Sequence, residues 1–166
     1  MDVFAELAPV ADNYAVLPVG DAFNWEPVAN LIEPGEWYMV AFRSIVRADA
    51  DQERLRQYDD WAHEEASTAK GFVYYYKGPQ APDRSCLSFC MWNSRAEARE
   101  ASARPAHQKA VTLIADTYEA YALEFLKVRK LAGATNLEFA PYDATTEAGP
   151  ASSPRPATLG FSPAPS

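Results

Sequence analysis

Four stretches rich in β-branched and aromatic residues constrain this chain most: WYMVAFRSIVR (37–47), GFVYYYKG (71–78), RSCLSFCMW (84–92) and TYEAYALEFLKVRK (117–130). Each has the composition of a strand. Between the first and second lies DADQERLRQYDDWAHEEASTAK. Asp49 or Asp51 can cap a helix there, and Leu55, Tyr58, Ala62, Ala66 and Ala69 recur at helical spacing until Gly71 stops it. GPQAPD turns the second run back towards the third as a hairpin. Ser94 and Glu97 then form a capping box, which opens a helix through Ala103. Pro105 lacks an N–H and breaks that helix, but it suits the first turn of a new one over AHQKAVTLIAD. The last run also contains helix formers. Its tyrosines favour a strand.

The resulting order, β-α-β-β-α-β, is that of the ferredoxin-like split unit, an α+β fold with four antiparallel strands and both helices on one face. The strands read as apolar on both faces, so the second face needs a cover. In a domain this small the expected cover is a second copy of the same sheet, giving a homodimer and a dimeric α+β barrel. That domain spans residues 36–142. Residues 1–35 have no sustained period and carry prolines at 9, 18, 27 and 34. They read as an arm lying on the domain. A helical turn within DAFNWEPVANLI would be anchored by Phe23, Trp25, Val28 and Leu31. Residues 143–166, rich in alanine, proline, serine and threonine, read as a disordered tail.

The net charge of -8, with no basic run, argues against nucleic acid or an anionic membrane as partner. The first residues carry acids where a secretory signal carries lysines, and no stretch reaches the roughly 18 apolar residues of a membrane span. A cytoplasmic protein is expected. Cys86 and Cys90 sit on one strand, so their Cα atoms should lie about 13 Å apart. A disulfide needs less than about 7 Å, so both should be free thiols.

Few residues carry chemistry. His107 lies near the start of a helix, where the dipole disfavours its protonated form and leaves a neutral imidazole able to act as a base. It can equally serve only to hydrogen-bond at the helix break. His63 follows Asp59 by one helical turn, so the pair can make a base with its orienter, or simply an exposed acidic face. Trp92 shares a strand face with Cys86, Ser88 and Cys90, and small polar side chains beside a tryptophan suggest a cavity wall. Arg43 is a charge within an otherwise apolar strand and wants a partner, either a substrate anion or, preferably, Glu119 or Glu124. Of the tyrosines at 74, 75 and 76, at least one must face the pocket and can orient a phenolic ligand. Tyr74 and Tyr76 are the candidates. No metal-spaced histidine pair, glycine-rich phosphate loop or serine nucleophile elbow is present.

Three local patterns carry a resemblance: W-x-S-R (Trp92 to Arg95), P-x-H (Pro105, His107) and Y-E-x-Y (Tyr118, Glu119, Tyr121). With the order of elements, they resemble the antibiotic biosynthesis monooxygenase-like dimeric α+β barrels over roughly residues 21 to 142. The fuller runs GEWYMVAFRS, AHEEA and CLSFCMWNSR resemble a related set of bacterial and fungal proteins with no established reaction. The resemblance implies a pocket between sheet and helices, in a superfamily of cofactor-free oxygenases, cyclases, haem-degrading enzymes and other haem proteins. Haem-degrading members use an asparagine on the first strand, a tryptophan where Trp92 stands and a histidine on the second helix. This chain has no asparagine in its first strand, and its Trp92-to-His107 spacing is longer.

The expectation is a cofactor-independent, monooxygenase-like or cyclase-like enzyme for an aromatic small molecule. His107, His63 and Asp59 would be its catalytic groups, and Arg43, Trp92, Tyr74, Tyr76 and Cys90 would line the ligand. The alternatives are a non-catalytic binding or structural dimer, and a haem protein with His107 as axial ligand.

Overall fold

The computed structural model describes residues 1–142. The expectation for residues 143–166 lies outside the described residues. Five strands form one antiparallel sheet: β1 (Gly35–Val46), β2 (Phe72–Tyr76), β3 (Ser85–Trp92), β4 (Tyr118–Lys130) and β5 (Glu138–Pro141). Their order is β2-β3-β1-β4-β5. The first four are arranged as the ferredoxin-like unit requires, and β5 adds a hairpin at the β4 edge.

Helix α3 (Gln52–Ser67) links β1 to β2. Asp51 caps it, its carboxylate accepting the Arg54 N–H at 2.9 Å. Helix α4 (Arg95–Ser102) follows β3, and the Ser94 hydroxyl accepts the Glu97 N–H at 3.3 Å. Pro105 restarts the chain as α5 (Pro105–Val111), and a short α6 (Ile114–Thr117) leads into β4. Gly71 adopts φ +80°, and any Cβ there would strike the Glu97 carboxylate, so the turn into β2 requires glycine.

Strand alternation divides the side chains between two faces. The helix side carries Tyr38, Val40, Phe72, Cys90, Trp92 and Phe125, packed with Ala66, Ala69, Ala98 and Ala101 from the helices and their ends. The other side carries Met39, Ala41, Leu87, Phe89, Met91 and Val128, all within 1 % of full burial. That face is covered by the first 35 residues of the same chain. The arm forms a 3-10 turn at Tyr14–Val16, then α1 (Val19–Ala22) and α2 (Glu26–Leu31). Phe4, Leu7, Tyr14, Val19, Phe23, Trp25 and Val28 are buried in one cluster with the sheet. The apolar second face, from which a sheet-to-sheet pair is expected, therefore meets its own chain's arm. Leu31, expected as an anchor, is 51 % exposed. It is the last residue of α2, after the inward-facing Val28 and Ala29, and the chain leaves the helix extended at Ile32.

Aromatic geometry shows how the arm fits. Phe4 stacks on Tyr74 at 4.0 Å, and Phe23 meets Tyr76 and Phe89 edge-on at 5.0 and 5.5 Å. Trp25 lies 5.4 Å from Phe89 and 5.0 Å from Phe139. Its indole N–H donates to the Val19 carbonyl at 2.9 Å, so the polar end of the buried ring is satisfied. Each such buried side chain contributes roughly 1.5–3 kcal/mol. Tyr14 reaches past the end of β2. Its hydroxyl donates to the Pro79 carbonyl at 2.6 Å and accepts the Leu87 N–H at 3.3 Å. Gly78 makes room for it, since a Cβ there would collide with the Leu87 carbonyl and the Tyr14 hydroxyl.

Candidate functional site

The two faces separate the sequence candidates. Tyr74 and Tyr76 point to the arm side, where Phe4, Phe23 and Phe89 surround them. They are not available to a ligand between sheet and helices. The middle tyrosine, Tyr75, points the other way. Arg43 also lies on the arm side: it pairs with Glu124 and donates to the Ala15 carbonyl at 2.7 Å, so it clamps the arm. The internal pair expected for it is present.

On the helix side the polar groups converge on β2. Asp59 of α3 accepts the Tyr75 hydroxyl proton at 2.6 Å through Oδ1, and Lys77 sits 3.1 Å from Oδ2. Asp59 is one turn before His63, so the helix that brings the carboxylate to Tyr75 also lays the imidazole on that tyrosine. The two rings are 4.8 Å apart between centroids, and Phe72 lies 6.1 Å from the imidazole. Among the described residues Asp59 therefore holds Tyr75 and Lys77, while His63 is positioned by ring contact. His63 remains exposed. Burial pushes the Tyr75 phenol well up, and the Asp59 charge adds to this. Tyr118 at the start of β4 faces the same region, 5.1 Å from the Phe42 ring. Its phenol is also raised, mainly by burial and then by Asp59 and Cys86.

Trp92 is 4 % exposed and packs against Tyr38, Ala98 and Ala101, so it joins β3 to α4. Its indole N–H donates to Cys90 Sγ at 3.2 Å. Cys90 and Cys86 are free thiols, both pushed up by burial. They are thus poor nucleophiles at neutral pH. The shared face of Cys86, Ser88, Cys90 and Trp92 is as alternation predicts.

His107 stands apart from this group. It occupies the first turn of α5, whose start is held by Glu65 of α3: that carboxylate accepts the Ala106 N–H at 3.1 and 3.2 Å. Arg104 adds bonds to the Glu65 carbonyl and the Thr68 hydroxyl, both at 3.1 Å. The protein around the His107 ring lowers its pKa from the usual 6.5, and Glu65 opposes that shift. Because the residue is still largely exposed, solvent screens both effects. Its neutral form at pH 7 agrees with its place at a helix start.

Tyr75, Lys77 and Tyr118 are the polar members that sequence reasoning missed. The run of three tyrosines contains the signal, since the middle one must face opposite its neighbours. Choosing the right face needed the register: Tyr74 pairs with Met91 and Tyr75 with Cys90. Two surface hollows, of about 490 and 310 Å³, lie where the start of β1 meets the end of β4 and along β4 and β5. Glu36, Arg129 and Lys130 line the first, and Lys127, Arg129 and Glu138 the second. Neither contains an imidazole, phenol or thiol, so acid/base chemistry is not collected there. No group of three or more possible metal ligands occurs among the described residues, and no described helix is long and apolar enough to cross a membrane.

The model of the PB2B2.08-like family matches residues 2–141, arm and sheet together. The chain belongs to the PB2B2.08-like family. No curated protein matches it. Among solved structures it is similar to protein SO0527 from Shewanella oneidensis: 12% identity, 60% of this chain, 98% of the other, TM-score 0.51. It is also similar to a Nitrosomonas europaea protein provisionally assigned as an antibiotic biosynthesis monooxygenase: 13% identity, 61% of this chain, 96% of the other, TM-score 0.50. SnoaB, a cofactor-independent oxygenase from Streptomyces nogalater, aligns at 15% identity over 60% of this chain and 98% of its own, with a TM-score of 0.48. The PB2B2.08-like chain thus has the α+β, ferredoxin-like fold of the antibiotic biosynthesis monooxygenase-like proteins.

Proposed function

We propose that this chain is a cofactor-independent, monooxygenase-like or cyclase-like enzyme that deprotonates a flat phenolic or enolic small molecule. The ligand would lie against the helix side of the sheet, beside Tyr75, Phe72 and Tyr118. The observation that carries this reading is the line of contacts Lys77–Asp59–Tyr75, which ends beneath the exposed imidazole of His63. In this reading His63 takes the proton. Asp59 is a positioning residue: it fixes Tyr75, and the Tyr75 ring sets the plane of the imidazole. Removal of a phenolic or enolic proton leaves an electron-rich carbon that can react with oxygen or close a ring. His107 serves the start of α5, next to Glu65, and is not the base. All these groups come from one chain, so the reading asks nothing of a second copy.

A panel of hydroxylated naphthalenes and anthracenes, followed by oxygen uptake and product mass, tests it. His63→Ala should lower turnover on any accepted substrate by about 10²-fold or more, with the fold intact by circular dichroism. His107→Ala should leave turnover within a few-fold. Full turnover in His63→Ala would refute the assignment.

A second reading, binding without turnover, is favoured by the position of the two surface hollows away from His63. A ligand at the helix side then needs α3 to shift. Saturable quenching of tyrosine and tryptophan fluorescence by a panel member that is recovered unchanged would select this reading.

A further inference from the structure

We propose that residues 1–34 act as an in-chain replacement for a second sheet, so that no second copy of the chain packs on the arm side. This inference is independent of the proposed reaction. A ferredoxin-like sheet with helices on one face leaves its other face to be covered, and a second copy is a common solution. Here the need is already met. Met39, Ala41, Leu87 and Val128 are fully buried, and Phe89 and Met91 are each 1 % exposed, within a single chain. The cover is built as a fitted layer. Phe23 and Trp25 interlock with Tyr76, Phe89 and Phe139, and Phe4 caps the far edge on Tyr74.

Polar ties hold the layer at three separate places. Arg43, paired with Glu124, donates to the Ala15 carbonyl. Tyr14 bonds Pro79 and Leu87 in the gap beyond β2. Lys130 of β4 donates to the carbonyls of Ala29 and Ile32, which end α2. The two sheet-side cations, Arg43 and Lys130, thus each donate to arm carbonyls. A second sheet would present side chains at those places, and its approach would leave Arg43 Nη1 and Lys130 Nζ without the carbonyls they now bond. The face is built for this arm.

Isotope-filtered NMR on the full chain tests the inference. Equal amounts of chain with ¹³C-methyl methionine and unlabelled chain are unfolded together, refolded and concentrated. The Met39 and Met91 methyls should show cross-peaks to arm protons only within labelled chains. Filtered spectra should contain no cross-peak from either methyl to an unlabelled chain. An intermolecular cross-peak to an arm ring would mean that the arm is exchanged between copies. One to Phe89 or Leu87 of another copy would mean that two sheets meet. Either result overturns the proposal.

Discussion

The two faces of the sheet are made from the same strands and finished differently. On the arm side, aromatic and aliphatic side chains close over one another, and the charged groups present are paired or spent on carbonyls. On the helix side, α3 has no fully buried residue, and Val40, Phe42, Cys90 and Phe125 are only partly covered. Asp59, Lys77, Tyr75 and His63 gather in that looser layer. Closed packing supplies stability, whereas a partly covered face opens at lower cost. The contrast teaches that in this chain the closed packing and the partly covered polar layer lie on opposite surfaces of one sheet.

The comparison is broken most forcefully from the arm. Trp25→Ala should cost about 3–5 kcal/mol in urea unfolding, as for other buried tryptophans. On the helix side, Trp61 is 48 % exposed, so Trp61→Ala should stay within about 0.5 kcal/mol. Equal losses for the two would erase the distinction. Next in size is Tyr75→Phe, which removes the bond to Asp59 while keeping the ring. It should cost about 1.5–3 kcal/mol, the range for a hydrogen bond to a charged group, and it should reduce turnover by loosening His63.

Ser94→Ala, which uncaps α4, should cost about 1 kcal/mol in the same assay. The smallest effect concerns pH. The folded-state pKa of His107 lies below its usual 6.5, so between those values the unfolded chain binds more protons than the folded one. Its contribution to stability is complete above pH 6.5 and declines as the pH falls through that value towards the lowered one. Denaturation midpoints between pH 7 and 5 should fall less steeply in His107→Gln than in the unchanged chain.

Much of this was legible from local rules. Asp51 and Ser94 announce their helices because a side-chain oxygen before an amphipathic run has one obvious use. Cys86, Ser88, Cys90 and Trp92 share a face because a strand has a period of two. The choice of strand over helix for 118–130 rested on the tyrosines, and it agrees with β4. The arm's role was not legible in the same way. Its contacts depend on where Phe23 and Trp25 land on strands far along the chain, and an aperiodic segment carries no pattern that encodes this. The second-copy argument was sound about the need for a cover; within the chain the arm covers that face. The contacts on the helix side depend on the fold in the same way. Only the crossing of α3 over β2 brings Asp59 to Tyr75, and no spacing within either segment reports that crossing. His107 drew attention as a rare histidine at a helix start, yet Glu65 shows what that start is tied to.

Amide hydrogen exchange on the full chain, read by mass spectrometry of short peptides, tests the division between faces most directly. The Ala29 amide is bonded to the Trp25 carbonyl and the Trp25 amide to the Phe23 carbonyl, in a segment whose Phe23, Trp25, Val28 and Ala29 are buried. Peptides spanning 22–31 should therefore exchange as slowly as those of β1 and β3, in the regime of global unfolding. Peptides of α3 should exchange far faster. An arm that exchanges as fast as α3, or faster, while β1 and β3 stay protected would contradict the account.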